Sequence, residues 1–205
     1  MAQLAKLVLF TSLLCAHGVS AATGDVIGTW ASVARTKGGL GSQWVFGPNG
    51  VAMFTFGAVV DFRYETNGSE LKLTLDSTDG SPPPAPSVQE FSVQGDTLTV
   101  SPNNAEQRQV MSRTGKGIAS SPLVGEWTYK HYTGGPAYMR YAGGGRAQLV
   151  VPMKTLKGTY QIENGSARIN LPGEQSAILA RVGEDGALTI RDQQGKETMF
   201  RQFLY

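Results

Sequence analysis

The chain is poor in the side chains that carry out covalent chemistry. One cysteine and two histidines occur in 205 residues. Cys15 and one histidine, His17, fall in an N-terminal stretch with the form of a secretory signal peptide. Lys6 precedes the apolar run Leu7 to Ala16, "LVLFTSLLCA", and the small residues Val19, Ser20 and Ala21 make a cleavage site. The run is shorter than the roughly 20 residues needed to span a bilayer. Cleavage after Ala21 leaves a chain without cysteine, which excludes disulfides, thiol catalysis and thiolate metal sites. His131 is then the only histidine. Leu13 and Leu14 precede Cys15, where a lipoprotein signal wants small residues.

Charge is also scarce. Charged residues make up 17% of the chain, and the net charge of +2 falls to +1 when Lys6 leaves with the leader. Lys and Arg form no run, so nothing draws the chain to nucleic acid or to an anionic membrane. No second apolar stretch approaches membrane length. The mature chain is expected to be exported, to the periplasm or outside the cell.

Helical periodicity is missing throughout. Short alternating segments end at turn signals rich in the 26 glycines. In the first half these are "VIGTWASV", "QWVF", "VAMFTF", "VVDFRYE", "ELKLTL", "EFSV", "TLTV" and "RQVMSR". In the second they are "LVGEWTYKHY", "AYMRY", "RAQLVV", "KGTYQIE", "SARINL", "AILARV", "ALTIRD" and "TMFRQF". "GPNG", "TNGS", "ENGS" and "GEDG" supply the positive φ angles of tight hairpins. This pattern predicts an all-β fold built of antiparallel hairpins.

The halves repeat each other. "GTW" (Gly28 to Trp30) answers "GEW" (Gly125 to Trp127), and "FGPNG" answers "YAGGG". "YETNGSELKLTL" answers "YQIENGSARINL", "GDTLTV" answers "DGALTI", and "MSR" answers "MFR", all in the same order. The expected organisation is a signal peptide at 1–21, a first repeat at 23–113, a linker at 114–122 ("TGKGIASSP") and a second repeat at 123–205. "DGSPPPAPS" is an enlarged loop of the first repeat, read as a stiff spacer or as a docking segment for a partner.

Gly28 and Gly125 allow close backbone approach, and Trp30 and Trp127 plug the base of each copy. Arg113 and Arg201 end the last strands, where a guanidinium can lie over an indole and satisfy strand-end carbonyls. Gly-x-Trp on the first strand with an Arg on the last resembles the calycin group, which includes lipocalins, fatty-acid-binding proteins, avidins and a bacterial metalloprotease-inhibitor barrel. The chain is similar to a tandem of short bacterial lipocalin-like domains. That resemblance implies two small antiparallel up-and-down β-barrels in tandem. The alternative is two half-sheets that pair into one larger barrel. The resemblance departs in size, each copy being well short of a full lipocalin, and it brings no ligand-contact motif.

Two binding readings follow. In one, Trp44, Phe46, Tyr138 and Tyr141 line an apolar mouth that holds a small apolar ligand, or these aromatics simply fill the core. In the other, the chain is a protein-interaction module, such as an inhibitor of a secreted hydrolase or a contact for an envelope protein, with "DGSPPPAPS" or "YTGGPAY" as the recognition loop. An enzyme is not expected. His131 lacks an evident partner, Asp61, Glu65, Glu163 and Glu174 are spread out, and no nucleophile, metal, phosphate or cofactor motif occurs.

Overall fold

A computed structural model describes residues 25–36, 38–76, 82–102, 108–115 and 121–204. The expected signal segment, residues 77–81 of the Pro-rich stretch, residues 116–120 of the expected linker and Tyr205 lie outside the described residues. Among the described residues the protein is all-β and antiparallel, as its alternation predicts, with fourteen strands in one closed sheet. The first repeat supplies β1 (Gly28–Ser32), β2 (Leu40–Phe46), β3 (Val51–Asn67), β4 (Glu70–Leu75), β5 (Ser87–Gln94), β6 (Thr97–Pro102) and β7 (Gln109–Arg113). The second supplies β8 (Gly125–Lys130), β9 (Pro136–Ala142), β10 (Arg146–Glu163), β11 (Ser166–Asn170), β12 (Ile178–Val182), β13 (Leu188–Arg191) and β14 (Glu197–Gln202).

Eight short strands are legible per repeat, but seven form. "VAMFTF" and "VVDFRYE" run together as β3, and "RAQLVV" and "KGTYQIE" as β10, with 17 and 18 residues. Gly57 and Ala58 look like a break between two strands. They are instead where two backbones crowd. A Cβ on Gly57 would lie 2.1 Å from the Val151 carbonyl oxygen, so only glycine lets the ribbon continue there.

The two long strands pair with each other, from Val51↔Thr159 to Arg146↔Arg63. This pairing pinches the sheet into two closed lobes. In the first lobe, β1, β2 and the start of β3 continue through the end of β10 to β11, β12, β13 and β14, and β14 returns to β1. In the second, the end of β3 leads through β4, β5, β6, β7, β8 and β9 to the start of β10, which returns to β3. Each lobe thus has eight strands, because each long strand serves both. A register shift between Pro152 and Lys154 leaves Met153 as an unpaired, exposed bulge residue. That extra residue gives β10 one more position than β3.

Repeat and lobe are therefore different units. Trp30, Trp44, Phe46 and Ala52 of the first repeat pack with Tyr160, Ile169, Leu188 and Phe200 of the second. Leu71, Leu98 and Met111 of the first pack with Trp127, Met139 and Tyr141 of the second. A small third cluster of Ala31, Val59 and Val150, with Tyr138 against it, lies where the outer faces of the lobes meet.

Candidate functional site

That meeting place, the waist, holds most of the buried polar side chains. Asp61 on β3, Gln148 on β10, Arg140 on β9 and Glu126 on β8 are successive register partners, so they form one row across four strands. Arg140 Nε donates to Glu126 Oε2 at 2.5 Å and its Nη1 to Gln148 Oε1 at 3.3 Å. Gln43 Nε2, from the other lobe, donates to the same oxygen at 3.0 Å. Gln148 Nε2 donates to Asp61 Oδ1 at 2.8 Å, and Arg35 Nη1 meets Asp61 Oδ2 at 2.7 Å. Arg35 also donates to the carbonyls of Ser32 and Val59. Gln43, Arg140 and Gln148 are buried, and no buried side-chain nitrogen or oxygen of the described residues lacks a partner, as burial requires.

The row connects two clefts. The first, about 190 Å³, is bordered by Arg35, Asp61, Asp76, Arg146, Gln148 and Arg201. The second, about 160 Å³, has Glu126, Arg140 and Gln43 on its polar side and Val45, Met53 and Tyr138 on its apolar side.

The residues singled out from sequence fall in separate places. Trp44 and Phe46 are sealed in the core of the first lobe. Their rings stack at 5.7 Å and 12°, Phe54 tilts against Trp44 at 5.0 Å, and Tyr160 meets Phe46 edge-on at 5.2 Å. Tyr141 is sealed in the second lobe, edge-on to Tyr64 at 5.2 Å. Burial pushes the Tyr141 phenol well above its ordinary range, with smaller contributions from Tyr129 and Tyr64. Of the four, Tyr138 borders the second cleft.

Trp30 and Trp127 are each buried, one in the core of each lobe. Their indole N–H groups donate to Val26 and Leu123 at 2.7 and 2.8 Å. Arg113 lies over the Trp127 ring at 4.0 Å and donates to the Val124 carbonyl at 2.9 Å. It serves the indole of the other repeat, because β7 pairs with β8. Gly28 and Gly125 share φ angles of 134° and 136°. A Cβ on Gly125 would press on Arg113 and one on Gly28 on Gln202. Arg201 does not occupy the matching place. Register sets Gln202 opposite Trp30 and turns Arg201 outward, opposite Ala31, onto the first cleft.

His131 sits in the exposed turn after β8, with Nδ1 2.9 Å from Thr133 Oγ1 and its ring 4.1 Å from that of Tyr132. Among the described residues, no group of three or more His, Cys, Asp or Glu side chains is placed to hold a metal ion. No helix among them is long and apolar enough to cross a membrane.

Sequence reasoning missed Arg35, Gln43, Glu126, Arg140 and Gln148 as site residues, and read Asp61 as a scattered carboxylate. All occupy outward positions of strands or loops, which in an alternating pattern read as solvated. Only contact between the lobes buries them. Comparison with known proteins finds no matching family model, no matching curated protein and no matching solved structure.

Proposed function

We propose that this chain is an exported, non-enzymatic binding protein that takes a small ligand at the waist between its lobes. The observation that carries the reading is the division of labour among side chains. The large aromatics that would line an internal cavity are consumed by packing against one another. The groups with directional chemistry converge instead on two clefts beside strands shared by both lobes. A rigid, fully hydrogen-bonded floor under an open cleft suits recognition, because little ordering is left to be done on binding. The signal-like leader supports export, and the resemblance to lipocalin-like domains supports a binding role.

A second reading, a protein-interaction module, is favoured by Tyr132. It stands 92% exposed on the turn between β8 and β9, beside His131. Native mass spectrometry of the mature chain, purified gently from its own envelope fraction, separates the two. Extra mass that is lost on denaturation is the expected result. A bare mass with a stoichiometric protein partner favours the interaction module, and a bare mass alone overturns the ligand reading.

A further inference from the structure

We propose that Arg146 and Arg201, which border the first cleft, together with Arg63, the cross-strand partner of Arg146, form a binding site for a small oxyanion, a molecule bearing a carboxylate or phosphate. The inference rests on the reading that the waist binds a ligand, and it assigns that ligand's charge. Arg146 and Arg63 are direct register partners on the β3–β10 ribbon. Side chains placed so in an antiparallel pair stand within about 5.5 Å at Cβ, where like charges repel. Arg201 reaches the same cleft from β14.

Among the described residues, carboxylates offset only part of this cluster. Asp61 is taken by Arg35 at 2.7 Å. Asp76 is half-exposed and approaches Arg63 only at 3.9 Å. Among the described residues no carboxylate forms an ion pair with Arg146 or Arg201. Arg146 lies 5.9 Å from the Phe203 ring, which fixes its direction without cancelling its charge.

Internal symmetry supplies a control. The repeats place Val51 where Arg146 stands and Thr159 where Arg63 stands. Val51 and Thr159 are likewise register partners, at the opposite end of the same ribbon. The fold is therefore satisfied by a neutral pair at this position, and the twin arginines are not a requirement of the ribbon. Guanidinium groups are flat forks of donors that bind carboxylate or phosphate in pairs, with geometry that a single ammonium does not offer. An oxyanion between Arg63 and Arg146 converts their repulsion into two attractive contacts, and Arg201 adds a third donor group.

The test titrates the mature chain with inorganic phosphate, succinate and citrate, against sodium chloride at matched ionic strength. Calorimetry and thermal melting are the readouts. At least one oxyanion is expected to bind saturably and to raise the melting temperature by roughly 5–10 °C at about a hundred times its Kd. Arg146→Gln is expected to weaken that binding roughly ten- to a hundredfold. Without anion the variant melts no lower than the parent, because a repulsion has been removed. Arg63→Gln is the second variant, with the same expectation. Arg168→Gln, in the exposed pair with Glu163, leaves binding unchanged. Stronger binding of phosphate than of both carboxylates identifies a phosphate site, and the reverse a carboxylate site. No saturable binding by any of the three, or binding indifferent to both Arg146→Gln and Arg63→Gln, overturns the assignment. If a small molecule is nonetheless retained in native mass spectrometry, the waist remains the binding site and only its charge preference fails.

Discussion

Two indoles set the residue scale. Trp30 and Trp127 have the same glycine two residues before them and the same bond to a carbonyl four residues before them. Replacing either by Ala is expected to destabilise the protein by about 3–5 kcal/mol in denaturant unfolding. Their cross-strand partners differ. Arg113→Ala removes a buried guanidinium from the Trp127 face and is expected to cost about 1–3 kcal/mol, whereas Arg201→Ala is expected to stay within about 0.5 kcal/mol. Equal effects of the two would contradict the register. Matching arginine to arginine in "MSR" and "MFR" puts the second copy out of step by one residue. In a strand that exchanges the inner face for the outer. The indoles and the first glycines were thus legible in sequence, while the true counterpart of Arg113, Gln202, was hidden by its different chemistry. The partly buried row of Arg35, Asp61, Gln148, Arg140 and Glu126 was hidden for another reason, since its outward positions leave water only where the two lobes meet. At the same scale, burial holds the phenol of Tyr141 neutral in the folded state. Its proton stays bound above the pH, about 10, at which the unfolded chain loses it. Stability is therefore unaffected by this group at neutral pH and falls as pH rises past about 10. Phenolate absorbance of Tyr141 should appear only together with unfolding, and Tyr141→Phe should flatten the alkaline decline.

Among the elements, β3 and β10 stand apart. The other twelve strands run from four to eight residues. At about 3.3 Å per residue a strand of 17 reaches about 55 Å, enough to carry a lobe at each end. Alternation showed the presence of these strands, but Gly57 on one and Pro152 on the other look like ends. The sequence offset between the repeats did hold a clue. It grows by one between "FGPNG" and "YETNGS", and the bulge at Met153 is that extra residue. Gly57→Val is expected to part the ribbon at Val151 and to destabilise by about 3 kcal/mol or more. Met153→Ala, at an exposed position, should be nearly neutral. Deleting Met153 is the sharper experiment. It removes the bulge and forces the rest of β10 to slip by one residue or the ribbon to re-form around a new irregularity. Loss of cooperative melting on deletion, with none on substitution, is the expected contrast.

For the whole molecule, the exchange of strands sets what a fragment can do. Residues 23–113 and 123–205 are the two repeats read from the sequence, yet neither holds a complete core. Each alone is expected to be unfolded or self-associated, and the two together should form a one-to-one complex, read by size-exclusion chromatography and circular dichroism. Two separately folded monomers would show that the repeats are independent units. The exchange also has a consequence in time. The second lobe is one continuous stretch of chain, and the first is split around it like the outer pair of nested brackets. As the chain is made N-terminus first, β1, β2 and the start of β3 appear while the strand that pairs with Val51, at Thr159, is still about a hundred residues from completion. Those earliest strands wait with bare edges while the inner lobe is made and closed, and open edges are where chains aggregate. The part made first is the last to be finished, so the hazard in producing this protein lies in its first sixty residues during the wait for its last fifty.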